Sequence, residues 1–98
     1  MATYITTVQF TEQGIKAVRD TCSRAAAFKA VAKKMGVKVT GTYWTLGAFD
    51  GLIICDAPDE ETLTASLLSL GSQGSIRTQT VRAFDAAEMQ KILGMMPK

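Results

Sequence analysis

"VKVTGTYWTLGAFDGLIICD", residues 37–56, decides how this chain folds. Two strand-like runs, 37–45 and 49–56, flank "LGA", a short link with the glycine that a tight hairpin needs. Pairing Trp44 with Asp50 sets Val39 opposite Cys55, Gly41 opposite Ile53 and Tyr43 opposite Gly51. That set suits a helix-covered face, with the Tyr43 ring over the bare Gly51. The other face then carries Lys38 opposite Asp56 as a cross-strand ion pair, Thr40 opposite Ile54, Thr42 opposite Leu52, and Trp44 itself. A slip of one residue would exchange the faces of a whole strand.

Outward from the hairpin the chain alternates in kind. Residues 3–10, "TYITTVQF", have period two and read as a half-buried strand. Thr11 is a good N-cap for a short helix to about Arg19, weakened by Gly14. Asp20 caps a second helix from about Thr21 to Met35. Its apolar stripe is Ala25, Phe28, Val31, Ala32 and Met35, and Gly36 is its C-terminal stop. After the hairpin, Asp59 caps a helix with Glu60 and Glu61 at its positive end, Leu63, Leu67 and Leu70 as its stripe, and Gly71 as its end. Residues 75–84, "SIRTQTVRAF", alternate again. Asp85 and Glu88 have capping-box spacing before a last helix with Met89, Ile92 and Leu93 on one side.

Strand, helix, strand, strand, helix, strand is the ferredoxin-like order. The expected fold is α+β: one domain, residues 1–98, with a four-stranded antiparallel sheet, both main helices on one face and an added C-terminal helix. The other face needs a cover, which a small domain finds in a second copy of itself. A homodimer or higher oligomer of the dimeric α/β-barrel type is therefore expected.

Composition narrows the chemistry. The chain has 11 Lys and Arg against 9 Asp and Glu, too even a balance to argue for nucleic acid. No apolar run approaches a membrane span, and "MATYITTVQF" lacks the basic and apolar regions of a signal peptide, so the cytoplasm is the expected compartment. There is no histidine. Histidine-ligated haem, histidine-rich zinc sites, Ser-His-Asp triads and Cys-His dyads are thereby excluded within one chain. No metal and no cofactor is expected. Cys55 reads as a core residue. Cys22 lies near a helix start, where the helix dipole favours a thiolate, although an incidental role weighs more.

The candidate ligand-binding residues are Trp44, Asp50, Arg77 and Arg82. Trp44 could floor a pocket and Asp50 supply its charge. Arg77 and Arg82 are five positions apart on one strand and so point to opposite faces. Against this stands a structural reading, favoured for the hairpin. Gly47 turns the chain, and Tyr43, Phe49 and Gly51 serve packing. Trp44 fills the uncovered face or a dimer seam, and Asp50 accepts backbone N–H groups or the Trp44 indole N–H.

"YWTLGAFD", "APDEET" and "GSIRTQTVRAF", together with "FTEQG" near the start, resemble the GYD-domain family of small bacterial proteins. The resemblance runs over nearly the whole chain and implies the ferredoxin-like, dimeric α/β-barrel fold. It supplies no reaction. The family reads Gly-x-Tyr-Asp where this chain has Gly47, Ala48, Phe49 and Asp50, so a function of the tyrosine hydroxyl is not available here.

Two classes of function follow as expectations. The first is a homo-oligomeric binder of a small apolar or aromatic molecule held between the sheet and its cover, with catalysis left open. The alternative is a non-catalytic interaction or assembly module. A cavity at Trp44 would favour the first, and a filled seam the second.

Overall fold

In the computed structural model, which describes residues 1–98, the elements run β1 (Ala2–Phe10), α1 (Glu12–Lys16), α2 (Thr21–Lys34), β2 (Lys38–Trp44), β3 (Gly51–Ala57), α3 (Glu60–Gly71), β4 (Ile76–Ala83) and α4 (Ala86–Gly94). A 3-10 turn, Val18–Asp20, joins α1 to α2. The sheet is antiparallel with order β2-β3-β1-β4. This is the ferredoxin-like α+β fold expected from the element order.

Period-two patterning explains the core. Tyr4, Thr6 and Val8 of β1 and Gly51, Ile53, Cys55 and Ala57 of β3 are buried and share one face. Val39 of β2 joins that face, and Phe28 and Ala32 of α2, Val37 of the loop after it, and Leu63 of α3 close over it. Leu67, Leu70 and Ile76 pack at its margin. The stripe of α2 is narrower than its sequence suggests, because Val31 stays exposed. The opposite, open face carries Ile5, Leu52 and Ile54 half-buried and Tyr43 and Val81 exposed. No helix is long and apolar enough to cross a membrane.

The caps sit where the sequence places them. Thr11 accepts from the Gly14 N–H, and Asp59 from the Thr62 N–H. Asp85 and Glu88 form a complete capping box at α4. Asp20 precedes α2 but makes no side-chain cap bond. Its carboxylate lies 3.8 Å from Arg24 instead. Gly14 is more than a weak helix residue. It is buried, and Thr11 on the same turn donates its N–H to Ser75 O at 3.1 Å and its hydroxyl to Gly74 O at 2.6 Å. The first turn of α1 thus lies directly on the Gly74–Ser75 backbone.

The hairpin register is corrected by one feature. Lys38 does face Asp56, and Val39 does face Cys55, but a β-bulge then intervenes between Val39 and Gly41. Beyond it Gly41 faces Ile54, Thr42 faces Ile53, Tyr43 faces Leu52 and Trp44 faces Gly51. One extra residue on one strand inverts the parity of everything after it. Trp44 consequently lies on the helix-covered side and Tyr43 on the open face, the reverse of the expected arrangement. The ring over a glycine exists, but it is Tyr43 beside Gly41: a Cβ on Gly41 would sit 3.1 Å from Tyr43 Cε2. The expected ion pair also fails. Asp56 accepts the Thr3 hydroxyl at 2.6 Å, and Lys38 makes no salt bridge with it. The turn is wider than "LGA": β3 begins at Gly51, so Phe49 and Asp50 belong to the loop. Gly47 within that loop has φ +113°, a backbone conformation suited to glycine.

Candidate functional site

The four residues singled out as ligand candidates fall in three places. Trp44 and Asp50 border a cavity of about 70 Å³ between the sheet and the start of α2, lined also by Val8, Thr21, Arg24 and Phe28. Its size decides what it can hold. A cavity of about 150 Å³ takes benzene, so this one is too small to enclose an aromatic ligand. Trp44 does not floor it freely either, because its indole N–H donates to the Thr21 hydroxyl of α2 at 3.0 Å. That bond, and not one to Asp50, is the partner the indole finds.

Asp50 is tied into the backbone. Its carboxylate accepts the Phe10 N–H at 2.9 Å, its own N–H donates to Val8 O at 2.8 Å, and its carbonyl accepts from Thr45 N at 3.0 Å. Asp50 therefore fastens the β2–β3 loop across the end of β1. The Thr45 hydroxyl adds a bond to Phe49 O at 2.6 Å.

Arg82 lies on the helix side of β4, at the far end of the sheet from Asp50. Its guanidinium meets Glu88 of α4 at 2.8 Å and stands 4.5 Å from the Phe84 ring centre and 5.8 Å from that of Tyr4. It also donates to the carbonyls of Thr3 and Ala83. The hydrogen bond from Arg82 holds the Glu88 carboxyl below its ordinary range, and the Asp85 N–H adds to this. With its donors so engaged, Arg82 fastens α4 to the sheet. The element it fastens is otherwise loosely held: α4 contains no buried residue.

Arg77 is alone on the open face. It borders a groove of about 450 Å³ formed with Thr7, Gln9, Ala48, Phe49, Thr78 and Gln79. Gln9 donates its amide N–H to Ala48 O at 3.1 Å, and the Thr7 hydroxyl donates to Gln79 O at 3.4 Å. Sequence reasoning missed Thr7, Gln9 and Gln79 as one cluster. They were legible only as alternate, outward-facing polar positions of two strands whose adjacency comes from the topology. Arg24 and Thr21 were missed at the smaller cavity for the same reason.

Burial pushes the Cys55 thiol up, with the Asp56 charge adding to it, as expected of a core thiol. Asp59 is held low by its bonds to Thr62 at the start of α3. No group of three or more Cys, Asp or Glu side chains converges so as to hold a metal ion.

Comparison with known proteins fits this geometry. The profile described as GYD domain matches residues 4–93. This chain belongs to the GYD domain family. Among curated relatives of this GYD protein is the "Glutamine synthetase and cystathionine beta-lyase binding protein" of Thermus thermophilus, 28% identical over 90 residues, which cover 91% of this chain and 95% of the relative. Two solved structures share its fold. The crystal structure of TTHA0845 from Thermus thermophilus superposes with a TM-score of 0.57 at 20% identity, covering 88% of this chain and 96% of that one. An ACT domain protein from Streptococcus pneumoniae gives a TM-score of 0.51 at 15% identity, covering 85% and 90%. In this GYD member the segment resembling the family's Gly-x-Tyr-Asp is the β2–β3 loop. Gly47 turns it, Asp50 anchors it to β1, and Phe49 lines the Arg77 groove.

Proposed function

We propose that this GYD protein is a non-catalytic protein-binding module that pairs with a second copy through the open sheet face and meets a partner enzyme through α4. The observation that carries the reading is the state of α4. It is amphipathic, yet none of its residues is buried. Met89 and Leu93 are exposed, and Met95 and Met96 follow directly, both largely in water. Methionine side chains are flexible and polarisable, and they recur on surfaces that accept more than one partner. The printed name of the Thermus thermophilus relative, a binding protein for two different enzymes, supports a surface of that kind.

The open face supports self-association. Ile5, Leu52, Ile54, Tyr43 and Val81 form an apolar centre there, with Lys38 and Asp56 at one end and the Arg77 groove beyond the other. A two-layer domain with helices on one side leaves such a face uncovered, and a second copy matches it by symmetry.

The test separates the two surfaces. Light scattering should give a dimer at micromolar concentration, and Ile54→Lys should yield a monomer. Sedimentation with purified glutamine synthetase or cystathionine β-lyase should show a complex that Leu93→Asp abolishes while leaving the dimer intact. Absence of a complex with either enzyme, or one indifferent to Leu93→Asp, would refute the docking role. A wild-type monomer would refute the pairing.

A further inference from the structure

We infer that the groove beside Arg77 is a binding site for a small, polar organic carboxylate. The inference is independent of the enzyme-docking role of α4: the groove sits at the Gln9–Arg77 end of the open face, beyond the apolar centre proposed to pair with a second copy, and every group it uses comes from one chain.

The groove has the size of a ligand site. Its volume of about 450 Å³ falls inside the roughly 300–1,000 Å³ common for small-molecule sites. The cavity at Trp44, at about 70 Å³, does not. Its charge is simple. Arg77 is the one ionised residue of the lining, and it has no acidic partner: the ion pairs of the molecule are Lys16–Glu12, Arg24–Asp20 and Arg82–Glu88. Asp50, next in sequence to Phe49 of the lining, turns its carboxylate to the Phe10 N–H and borders the other cavity. The Arg77 side chain makes no hydrogen bond within the chain, in contrast to Arg82 on the same strand, so all five guanidinium N–H donors remain open.

A planar guanidinium matches a carboxylate by two parallel hydrogen bonds. One positive charge balances one carboxylate and leaves a phosphate dianion under-compensated. The rest of the lining is chiefly amide and hydroxyl, from Gln9, Gln79 and Thr7, while Thr78, opposite the core residue Val8, borders the groove only by its backbone. Two of these are already held in place, Gln9 on Ala48 O and Thr7 on Gln79 O, so they need little ordering to bind. Such groups satisfy hydroxyl or amide substituents and would be left unpaired by an apolar acid. Phe49 adds apolar surface for the ligand's carbon chain. The implied ligand class is therefore a hydroxylated or amide-bearing monocarboxylate, in place of the apolar or aromatic compound expected from Trp44.

The experiment is an amide NMR titration of the full chain with lactate, gluconate, lactamide and inorganic phosphate. Saturable shifts at Gln9, Phe49, Arg77 and Gln79 are expected with lactate or gluconate. Binding should weaken by about tenfold or more for lactamide and in Arg77→Gln, the loss of a charge-assisted pair. Arg77 is exposed, so Arg77→Gln should unfold at the same urea concentration as the unaltered chain. No saturable shift with either acid would overturn the inference. So would carboxylate binding unchanged in Arg77→Gln, or phosphate binding as tightly as gluconate, which would mark a general anion patch. If neither acid binds but Arg77→Gln weakens a complex with glutamine synthetase, the groove is a protein contact and the inference fails, while the docking role of this chain stands.

Discussion

Gly14→Ala is the sharpest test of the fold described here, because two arguments give opposite signs. By helix propensity, alanine should stabilise α1 by up to about 1 kcal/mol. By packing it should not fit. A Cβ at Gly14 would lie 1.9 Å from Ser75 O and 2.9 Å from the Ser75 carbonyl carbon, where real Cβ contacts essentially never fall under 3.0 Å. The obstacle is backbone, so no rotamer relieves it. α1 must retreat from the Gly74–Ser75 segment, and that strains the bonds from Thr11 N–H to Ser75 O, from the Thr11 hydroxyl to Gly74 O and from Gln13 to Gln73 O. Overpacking costs about 1–3 kcal/mol, and each weakened hydrogen bond about 0.5–1.5 kcal/mol. Less the propensity gain, the expected loss is about 2–4 kcal/mol, a large part of the roughly 5–15 kcal/mol typical of a domain. Urea unfolding followed by the fluorescence of Trp44, at fixed protein concentration because of the expected dimer, measures it. Gly71→Ala at the end of α3 is the control. Nothing lies within 4 Å of its Cβ position and its φ is not positive, so it should be neutral or gain up to about 1 kcal/mol. A Gly14→Ala protein as stable as the unaltered one would refute the close approach of α1 to Ser75.

Asp50→Ala should cost about 1.5–3 kcal/mol by leaving the Phe10 N–H without its charged acceptor, while Asp50→Asn, whose amide oxygen can still accept, should lose about 1 kcal/mol and keep the fold, both read from urea midpoints. Glu88 has its folded pKa depressed by Arg82, so its contribution to holding α4 is fully present above the unfolded carboxylate pKa and is lost as pH falls through the folded value. Carboxyl-carbon NMR should show that low midpoint moving up toward the ordinary glutamate value in Arg82→Gln, and Glu88→Gln should remove the acid-dependent shifts of the α4 amides. Thiol labelling of the native chain should modify Cys22, which is exposed, and reach Cys55 only on unfolding, because it is buried and its thiol is held protonated.

How far the sequence was readable follows the range of the interactions. Element order, the N-caps at Thr11 and Asp59 and the capping box at Asp85 depend on residues a few positions apart, and all are visible in one dimension. The sheet order follows from that element order by packing rules alone. The hairpin register did not, because parity counting assumes an unbroken ladder. The available clue was Gly41, since an isolated glycine inside a strand pattern signals a bulge. The candidate site scattered for a related reason. Trp44 was placed by parity and so landed on the wrong face. Arg82 was drawn to Glu88, an acid whose capping role was legible but whose second partner across the β4–α4 turn was not. Arg77 was correctly set apart from Arg82 by alternation, yet its neighbours come from β1 and the β2–β3 loop, distant in sequence and joined only in three dimensions.

The bulge at Thr40 works as a phase shifter in the strand. The half of β2 before it keeps Val39 in the core, whatever happens beyond. The half after it can present either of two side-chain sets to the helices, depending on whether Thr40 bulges out of the ladder or pairs within it. Drawing Thr40 into the ladder opposite Ile54 would send Trp44 out to the open face and bring Tyr43 in over Gly51, with Cys55, Ile53 and the helices unaltered in sequence, whereas deleting Thr40 would leave every pairing from Gly41 onward as it is. A single-codon insertion after Gly41, taken into the ladder, would likewise exchange the aromatic surfaces of the two faces at once. Among relatives of this fold, an added ladder residue just after this position would rewrite what the sheet shows to a partner while leaving its first residues in register.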